Sequence, residues 1–252
     1  MDLREYGVMF RAESRHWWFR GSRRVVQELL ERYRPVGRGR APLRVVDLGC
    51  GTGYTLSRLE RVRGIEACGL DLSKAALGFC RRRGLDGLAV GRVEELPLAS
   101  RSTEVLLALD VLEHIADDGA AVREMARVVH DEGIVIITVP AHNWLWSEHD
   151  EALRHKRRYQ RRSLDHLLRE AGFEVLFLSY YNTFLLPAIA AVRLWRRMWP
   201  QRERKPTSDV SVPSAVLNSL LGSLLGAERH VLARSRLPLG VSLLAVARVG
   251  GL

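Results

Sequence analysis

An α/β fold, with a mostly parallel β-sheet covered by helices, is predicted by three features of the 252-residue chain. Short apolar, strand-like runs alternate with stretches of helical periodicity from residue 43 onward, the pattern of parallel strands joined by crossover helices. The first run, Val45-Val46-Asp47-Leu48, leads directly into the glycine-rich turn Gly49-Cys50-Gly51-Thr52-Gly53. The second ends in a carboxylate, Asp71, about twenty residues further on, the interval at which a ribose-binding acid follows a glycine turn.

Ahead of the sheet, Val25, Val26, Leu29, Leu30 and Tyr33 recur at helical spacing behind the aromatic cluster His16, Trp17, Trp18 and Phe19, which predicts an N-terminal helical lid within residues 1–42. Residues 34–42, rich in Pro, Gly and Arg, read as a loop. The core, 43–182, is expected to hold strands at 43–48, 67–70, 87–90, 105–109 and 133–139, with helices over 73–83 and 119–129. A helix over 163–171, stopped by Gly172, leads to a strand at 173–179. The last strand, 241–247, lies in a closing segment, 237–252.

Roughly fifty residues separate these last two strands where a hairpin needs only a few, so 183–236 reads as an insertion. It carries the apolar stretch 184–195, the cations Arg193, Arg196 and Arg197, a linker over 200–213 and an apolar helix around 216–225. Two readings stand side by side: a cover for a greasy substrate or an anionic membrane contact, and an extra pair of packed helices.

At 47% hydrophobic and 27% charged residues the composition is that of a globular chain with one sizeable core. A formal charge of +10 implies attraction to something acidic, whether a phosphorylated substrate, a membrane surface or nucleic acid. Cys50, Cys68 and Cys80 have neither metal-ligand nor redox-pair spacing, so no disulfide framework and no metal centre are expected. The charged first ten residues lack the apolar core of a secretory signal. The longest uncharged run, 175–192, is interrupted by Asn182 and Pro187 and reads as strand, turn and helix instead of a membrane span. The expected location is the cytoplasm, with attachment to the inner membrane face left open.

Glycines let the backbone turn sharply and approach a ligand closely, and the helix that follows offers free N–H groups. A dinucleotide fingerprint would place its third glycine where Tyr54 stands, which disfavours NAD and FAD. Asp47, just before the first glycine, suits the ammonium of an amino-acid moiety, and Asp71 suits a ribose; together they point to S-adenosylmethionine.

Further motifs follow in order: Gly69-Leu70-Asp71-Leu72-Ser73, Val93-Glu94-Glu95-Leu96-Pro97-Leu98, Asp110-Val111-Leu112-Glu113-His114-Ile115 and Ala171-Gly172-Phe173-Glu174. On these motifs, residues 43 to 180 resemble a class I S-adenosylmethionine-dependent methyltransferase, of the group that includes ubiquinone-pathway and small-molecule enzymes. The resemblance implies a Rossmann-like, seven-stranded sheet. It implies that Gly49, Gly51 and Gly53 line the methionine and ribose, that Asp71 binds the ribose hydroxyls with Leu72 beside it, and that Arg92 and Val93 meet the adenine. Arg92 stands where many members carry an aspartate, which leaves the contact to the backbone at Val93. Asp110 falls beside the sulfonium, and S-adenosylhomocysteine is the expected product.

Methyl transfer needs an aligned acceptor lone pair and, for a hydroxyl or ammonium acceptor, a base. The candidates are His114, His142, His149 and His155; His149 is the first choice and His155 the second, with Asp150 to orient an imidazole. Arg158 is expected to meet an acidic group on the substrate, and Trp17, Trp18, Trp146 and Tyr159 to line or close the acceptor pocket. The stretch from Val139 to Tyr159 resembles a bacterial subgroup associated with lipid-linked, glycan and secondary-metabolite pathways. The expected reaction is therefore O-methylation of a small-molecule or lipid- or glycan-linked acceptor, ahead of N- or C-methylation. Two other classes remain: a nucleic-acid methyltransferase, disfavoured because the fourth strand does not end in Asn/Asp-Pro-Pro-aromatic, and a non-catalytic scaffold that binds the cofactor only.

Overall fold

The computed structural model describes residues 3–35, 41–198 and 211–250, so parts of the expected 34–42 loop and 200–213 linker lie outside the described residues. Seven strands form one sheet: β1 (Leu43–Leu48), β2 (Ile65–Asp71), β3 (Leu88–Val90), β4 (Thr103–Leu109), β5 (Val129–Pro140), β6 (Phe173–Tyr181) and β7 (Ser242–Val249). Their spatial order is β3-β2-β1-β4-β5-β7-β6. The pairs from β3 through β5 are parallel, and β7 runs antiparallel between β5 and β6. This is the Rossmann-like arrangement expected, with the last strand inserted against the grain.

Side chains alternate across each strand, and both faces are buried. Val46, Leu106, Val135 and Ile137 pack on one side with Val122 and Met125. Val45, Leu107, Ile134 and Ile136 pack on the other with Leu56 and Leu77. The helices are α1 (Leu3–Ala12), α2 (Trp17–Tyr33), α3 (Tyr54–Leu59), α4 (Lys74–Arg82), α5 (Asp118–Val128), α6 (Glu148–Ala152), α7 (Arg161–Glu170), α8 (Leu186–Met198) and α9 (Ala215–Leu232). Ser73 caps α4 by accepting from the Ala76 N–H at 3.3 Å, and Asp117 caps α5 through the Ala120 N–H at 2.8 Å. β5 starts at Val129, earlier than the sequence suggests, because α5 runs straight into it and a register shift between Thr103 and Val105 absorbs the extra residues.

The insertion contributes a packed helix. α9 lies along α2, with Leu225 and Leu232 in the core beside Val25 and Leu29. Gly21 makes this approach close enough that a Cβ there would stand 2.6 Å from Leu225 Cγ. Asn218 ties the two helices by accepting from the Trp17 N–H and donating to the Arg15 carbonyl, both at 2.8 Å. The buried Glu228 carboxylate accepts the backbone N–H groups of Asn182 (2.6 Å), Thr183 (2.7 Å) and Phe184 (2.9 Å), fixing the chain where it leaves β6. Among the described residues no helix is long and apolar enough to cross a membrane.

Three charge-assisted bonds to one buried group make Glu228 a strong anchor. Glu228→Ala should lower unfolding stability by about 3 kcal/mol, read from urea denaturation, because three buried donors lose their acceptor.

Candidate functional site

Strand order reverses between β1 and β4, and the crevice above that switch point is where an open parallel sheet takes a ligand. The strand ends deliver Asp47 from β1, Asp71 from β2 and, just past β4, Asp110. The turn after β1 needs glycine: Gly49 has φ of +63° and a Cβ there would lie 2.7 Å from Val111 Cγ2. Its backbone is thereby held against the turn that follows β4. Asp71 accepts from the Gly51 N–H at 2.9 Å through one oxygen and from the Ser73 N–H at 2.8 Å through the other. Burial raises its pKa and these two bonds oppose the rise. Asp47 is deeper, and burial, then Glu13 and Asp71, push its pKa up to about 8.

Leu72 is 64% exposed beside Asp71 and offers an apolar surface to a flat ring. Val93 is buried, whereas the Arg92 guanidinium turns to Glu94 at 2.7 Å in an exposed ion pair.

The segment that covers the glycine turn is α1 and the residues just after it, not the tryptophan cluster. Glu13 is buried and accepts from Thr52 Oγ1 at 2.5 Å and from Arg83 Nη2 at 3.1 Å, while Arg83 Nε donates to the Thr52 carbonyl at 2.7 Å. Met9 Cε lies 3.7 Å from where a Gly51 Cβ would be. Tyr6, Met9, Phe10 and Glu13 follow the i, i+3, i+4, i+7 pattern, a signal present in the sequence. Trp17 and Trp18 instead join the α2–α9 layer, Trp18 stacking on Tyr181 with ring centroids 5.9 Å apart.

The acceptor-side candidates gather past the ends of β4 and β5. Asp110 takes φ of +55°, uncommon for a non-glycine residue, and is held by its N–H to the Thr138 carbonyl at 3.0 Å and by Thr138 Oγ1 donating to its carboxylate at 3.2 Å. A 3-10 turn, Leu112–His114, follows. Within it Glu113 is fully buried, and burial, then Asp110, push its carboxyl well above the usual range. The ring of His114 stands 4.7 Å from that of His155, centroid to centroid. Burial, then His155, lowers the pKa of His114 to about 4, although the residue as a whole lies exposed at the surface.

His155, not His149, is the imidazole that Asp150 orients: Nδ1 meets Asp150 Oδ1 at 2.9 Å. The chain doubles back through Arg154, at φ of +57°, so that the His155 N–H also reaches the Asp150 carbonyl at 2.8 Å. Asp150 is fully buried; burial opposes its ionisation, but His155 and Arg158 outweigh it and hold the carboxyl well below the usual range. Arg158 is the correction to the expected substrate contact. Its Nε and Nη2 bond Asp150 at 2.8 and 2.9 Å and its Nη1 bonds the Ala141 carbonyl at 2.9 Å, so the buried guanidinium is engaged inside the protein. Tyr159 is likewise a brace, donating to Asp118 at 2.7 Å from a buried position beneath the turn. His149 sits at the rim, half-buried, with its ring 6.1 Å from that of His155. Trp146 is 38% exposed on the same loop, and His142 stacks on Tyr180 at 4.9 Å.

A family model described as a methyltransferase domain matches residues 15–178. Over 162 residues the chain is 33% identical to the malonyl-[acyl-carrier protein] O-methyltransferase of Halorhodospira halophila, covering 60% of this chain and 54% of that one. It is 34% identical over 101 residues to the ubiquinone biosynthesis O-methyltransferase of Azorhizobium caulinodans, covering 38% of this chain and 40% of the relative. The match spans 60% of a curated relative from Mycolicibacterium smegmatis. Among solved structures, the methyltransferase in complex with the Haloferax volcanii Trm112 methyltransferase activator aligns over 99% of this chain and 95% of its own, with a TM-score of 0.62 at 20% identity. A SAM-dependent methyltransferase from Thermotoga maritima aligns over 98% and 95%, with a TM-score of 0.59 at 18% identity. With the family model covering well over half of its length and the cofactor motifs at the switch point of the sheet, the chain belongs to the methyltransferase-domain family.

Proposed function

We propose that this chain transfers the methyl group of S-adenosylmethionine to a hydroxyl oxygen on a small-molecule or lipid-linked acceptor. The observation that carries the acceptor side is the cluster of Glu113, His114 and His155 beside Asp110, which joins imidazole and carboxylate groups at the mouth of the cofactor crevice. Two relatives named O-methyltransferases, one for malonyl-[acyl-carrier protein] and one in ubiquinone biosynthesis, support oxygen as the acceptor atom.

The residues of the crevice fit the cofactor. Asp47 presents a buried carboxylate to an ammonium, the side-chain-free turn at Gly49 admits a close backbone approach, and Asp71 is held at its rim to accept from ribose hydroxyls. Bound there, S-adenosylmethionine supplies an electrophilic methyl carbon that needs only an aligned lone pair. Alignment is the task of Glu113, His114 and His155, and positioning of this kind accounts for much of a transferase's rate. The Asp150 contact engages the Nδ1 side of His155, whose ring lies 4.7 Å from that of His114, centroid to centroid. His149, half-buried at the rim, takes the hydroxyl proton and passes it to solvent.

A lipid-linked acceptor is favoured by the apolar face that the insertion leaves exposed. On α8, Leu194, Trp195 and Met198 are 49%, 63% and 69% exposed, and on α9, Val216 and Leu220 are 82% and 61% exposed. With a formal charge of +10, such a face suits an anionic bilayer that presents the acceptor.

Three outcomes test these statements. Binding of S-adenosylmethionine at pH 7 should release about one proton, read from the dependence of calorimetric enthalpy on buffer ionisation heat, because the neutral Asp47 carboxyl must ionise to meet an ammonium; Asp71→Ala should abolish binding, and unchanged binding in that variant would remove the cofactor assignment. His149→Ala should lower kcat by about 100-fold while leaving cofactor affinity intact. In flotation assays the protein should travel with phosphatidylglycerol vesicles, less so for Trp195→Glu, and equal recovery with neutral vesicles would argue against an anionic surface.

A further inference from the structure

We propose that Glu113, His114 and His155 form a binding site for a first-row divalent cation whose open position faces the acceptor. One carboxylate oxygen and one ring nitrogen from each histidine lie within 4.8 Å of one another. Metal–ligand bonds near 2.0–2.2 Å bring tetrahedral ligands to about 3.4 Å apart, which a small rotation of Glu113 and the two rings supplies. The inference rests on the O-methylation reading for its catalytic meaning, but not for the binding itself.

Three observations beyond proximity point to a cation. Both carboxylate oxygens of Glu113 are buried without a hydrogen-bond partner, whereas both oxygens of Asp150 are bonded, to Ser147, His155 and Arg158. A buried carboxylate left unpaired is costly, and a cation between it and two imidazoles removes that cost. Second, the histidine that Asp150 grips is one of the three. A carboxylate on the far nitrogen of a ligating imidazole fixes its tautomer and direction, and Asp150 is itself locked by Arg158. Third, the two segments that bring the ligands are stitched together, since the Lys156 N–H donates to the Glu113 carbonyl at 2.8 Å.

The donor set chooses the ion class. Two imidazoles and one carboxylate suit zinc, manganese, cobalt or iron far better than magnesium or calcium, which prefer oxygen. Three protein ligands leave a position for an exogenous oxygen, the arrangement of catalytic and not structural sites. A hydroxyl bound there loses its proton more readily, and His149 at the rim receives it. A cation held by Glu113, His114 and His155 would orient the acceptor oxygen, whose lone pair would form the C–O bond as the methyl–sulfur bond of S-adenosylmethionine breaks and S-adenosylhomocysteine leaves.

The test uses the full chain, stripped with a chelator and titrated with Co2+ while visible d–d absorption is followed. A single equivalent should bind and give the spectrum of a low-coordinate nitrogen–oxygen site. Glu113→Gln, which keeps the shape of the side chain, and His114→Ala, at the protein surface, should each weaken Co2+ binding at least tenfold with S-adenosylmethionine affinity unchanged. Asp150→Asn should weaken it 10- to 100-fold through His155 alone. Absence of Co2+ binding by protein that binds S-adenosylmethionine would overturn the proposal, as would Co2+ affinity in Glu113→Gln and His114→Ala equal to that of the wild type. Loss of S-adenosylmethionine binding by the wild type would instead sink the transferase reading and leave a measured cation site standing.

Discussion

Parallel strands cannot be joined by tight turns, so each connection between β1 and β5 must cross a face of the sheet and return to the same edge. The chain starts in the middle, at β1, builds outward to β3, then jumps back to β4 on the other side. That reversal leaves two loops diverging above adjacent strands, with nothing between them to fill the gap. Everything functional in the molecule follows from this opening. The glycine turn lies against one wall, the turn with Asp110 and Glu113 against the other, and the contact of Gly49 with Val111 sets how close the walls come.

The opening is also an electrostatic exception. The chain as a whole carries a formal charge of +10, yet Glu13, Asp47, Asp71, Asp110 and Glu113 all converge on this one edge. Carboxylates brought together in a poorly hydrated place raise one another's pKa values, as Asp47 and Glu113 show. Such a cluster is expensive in the empty protein and becomes favourable once cations enter it. A sulfonium and an ammonium on the cofactor, and a metal ion on the acceptor side, are charges of the required sign. On the far side of Glu113 the same need is met internally, where Arg158 compensates Asp150.

The sheet was largely legible in the sequence because its strands are short, apolar and separated by glycine turns; β1 has the same ends in the sequence reading and in the structure. Boundaries shifted where tertiary pairing extends a strand, as at β5, whose first residues are polar and gain their place from the bulge opposite β4. In the candidate site, Asp47, Asp71 and Asp110 could be placed from the sequence because each sits a fixed distance from a strand end. Arg158, Tyr159 and the choice between His149 and His155 could not, since they depend on the left-handed turn at Arg154 and on which partner an arginine finds in space. Glu13 lies inside the predicted 1–42 lid, but a lone carboxylate carries no mark in the sequence of the Thr52 and Arg83 it meets in space.

The pairing of α2 with α9 joins segments distant in sequence, since Trp17 and Asn218 are 201 positions apart. During synthesis α2 emerges with Val25, Val26, Leu29 and Leu30 on one face and waits for its cover until α9 has been made. Closing so large a loop is slow, and the exposed stripe must survive meanwhile without finding a neighbour on another nascent chain. The closeness of Gly21 to Leu225 makes the eventual match selective, because a bulkier segment could not settle there. The apolar face of α2 therefore depends for its cover on a helix made some two hundred residues later, whereas the strands that bear the crevice lie between the two.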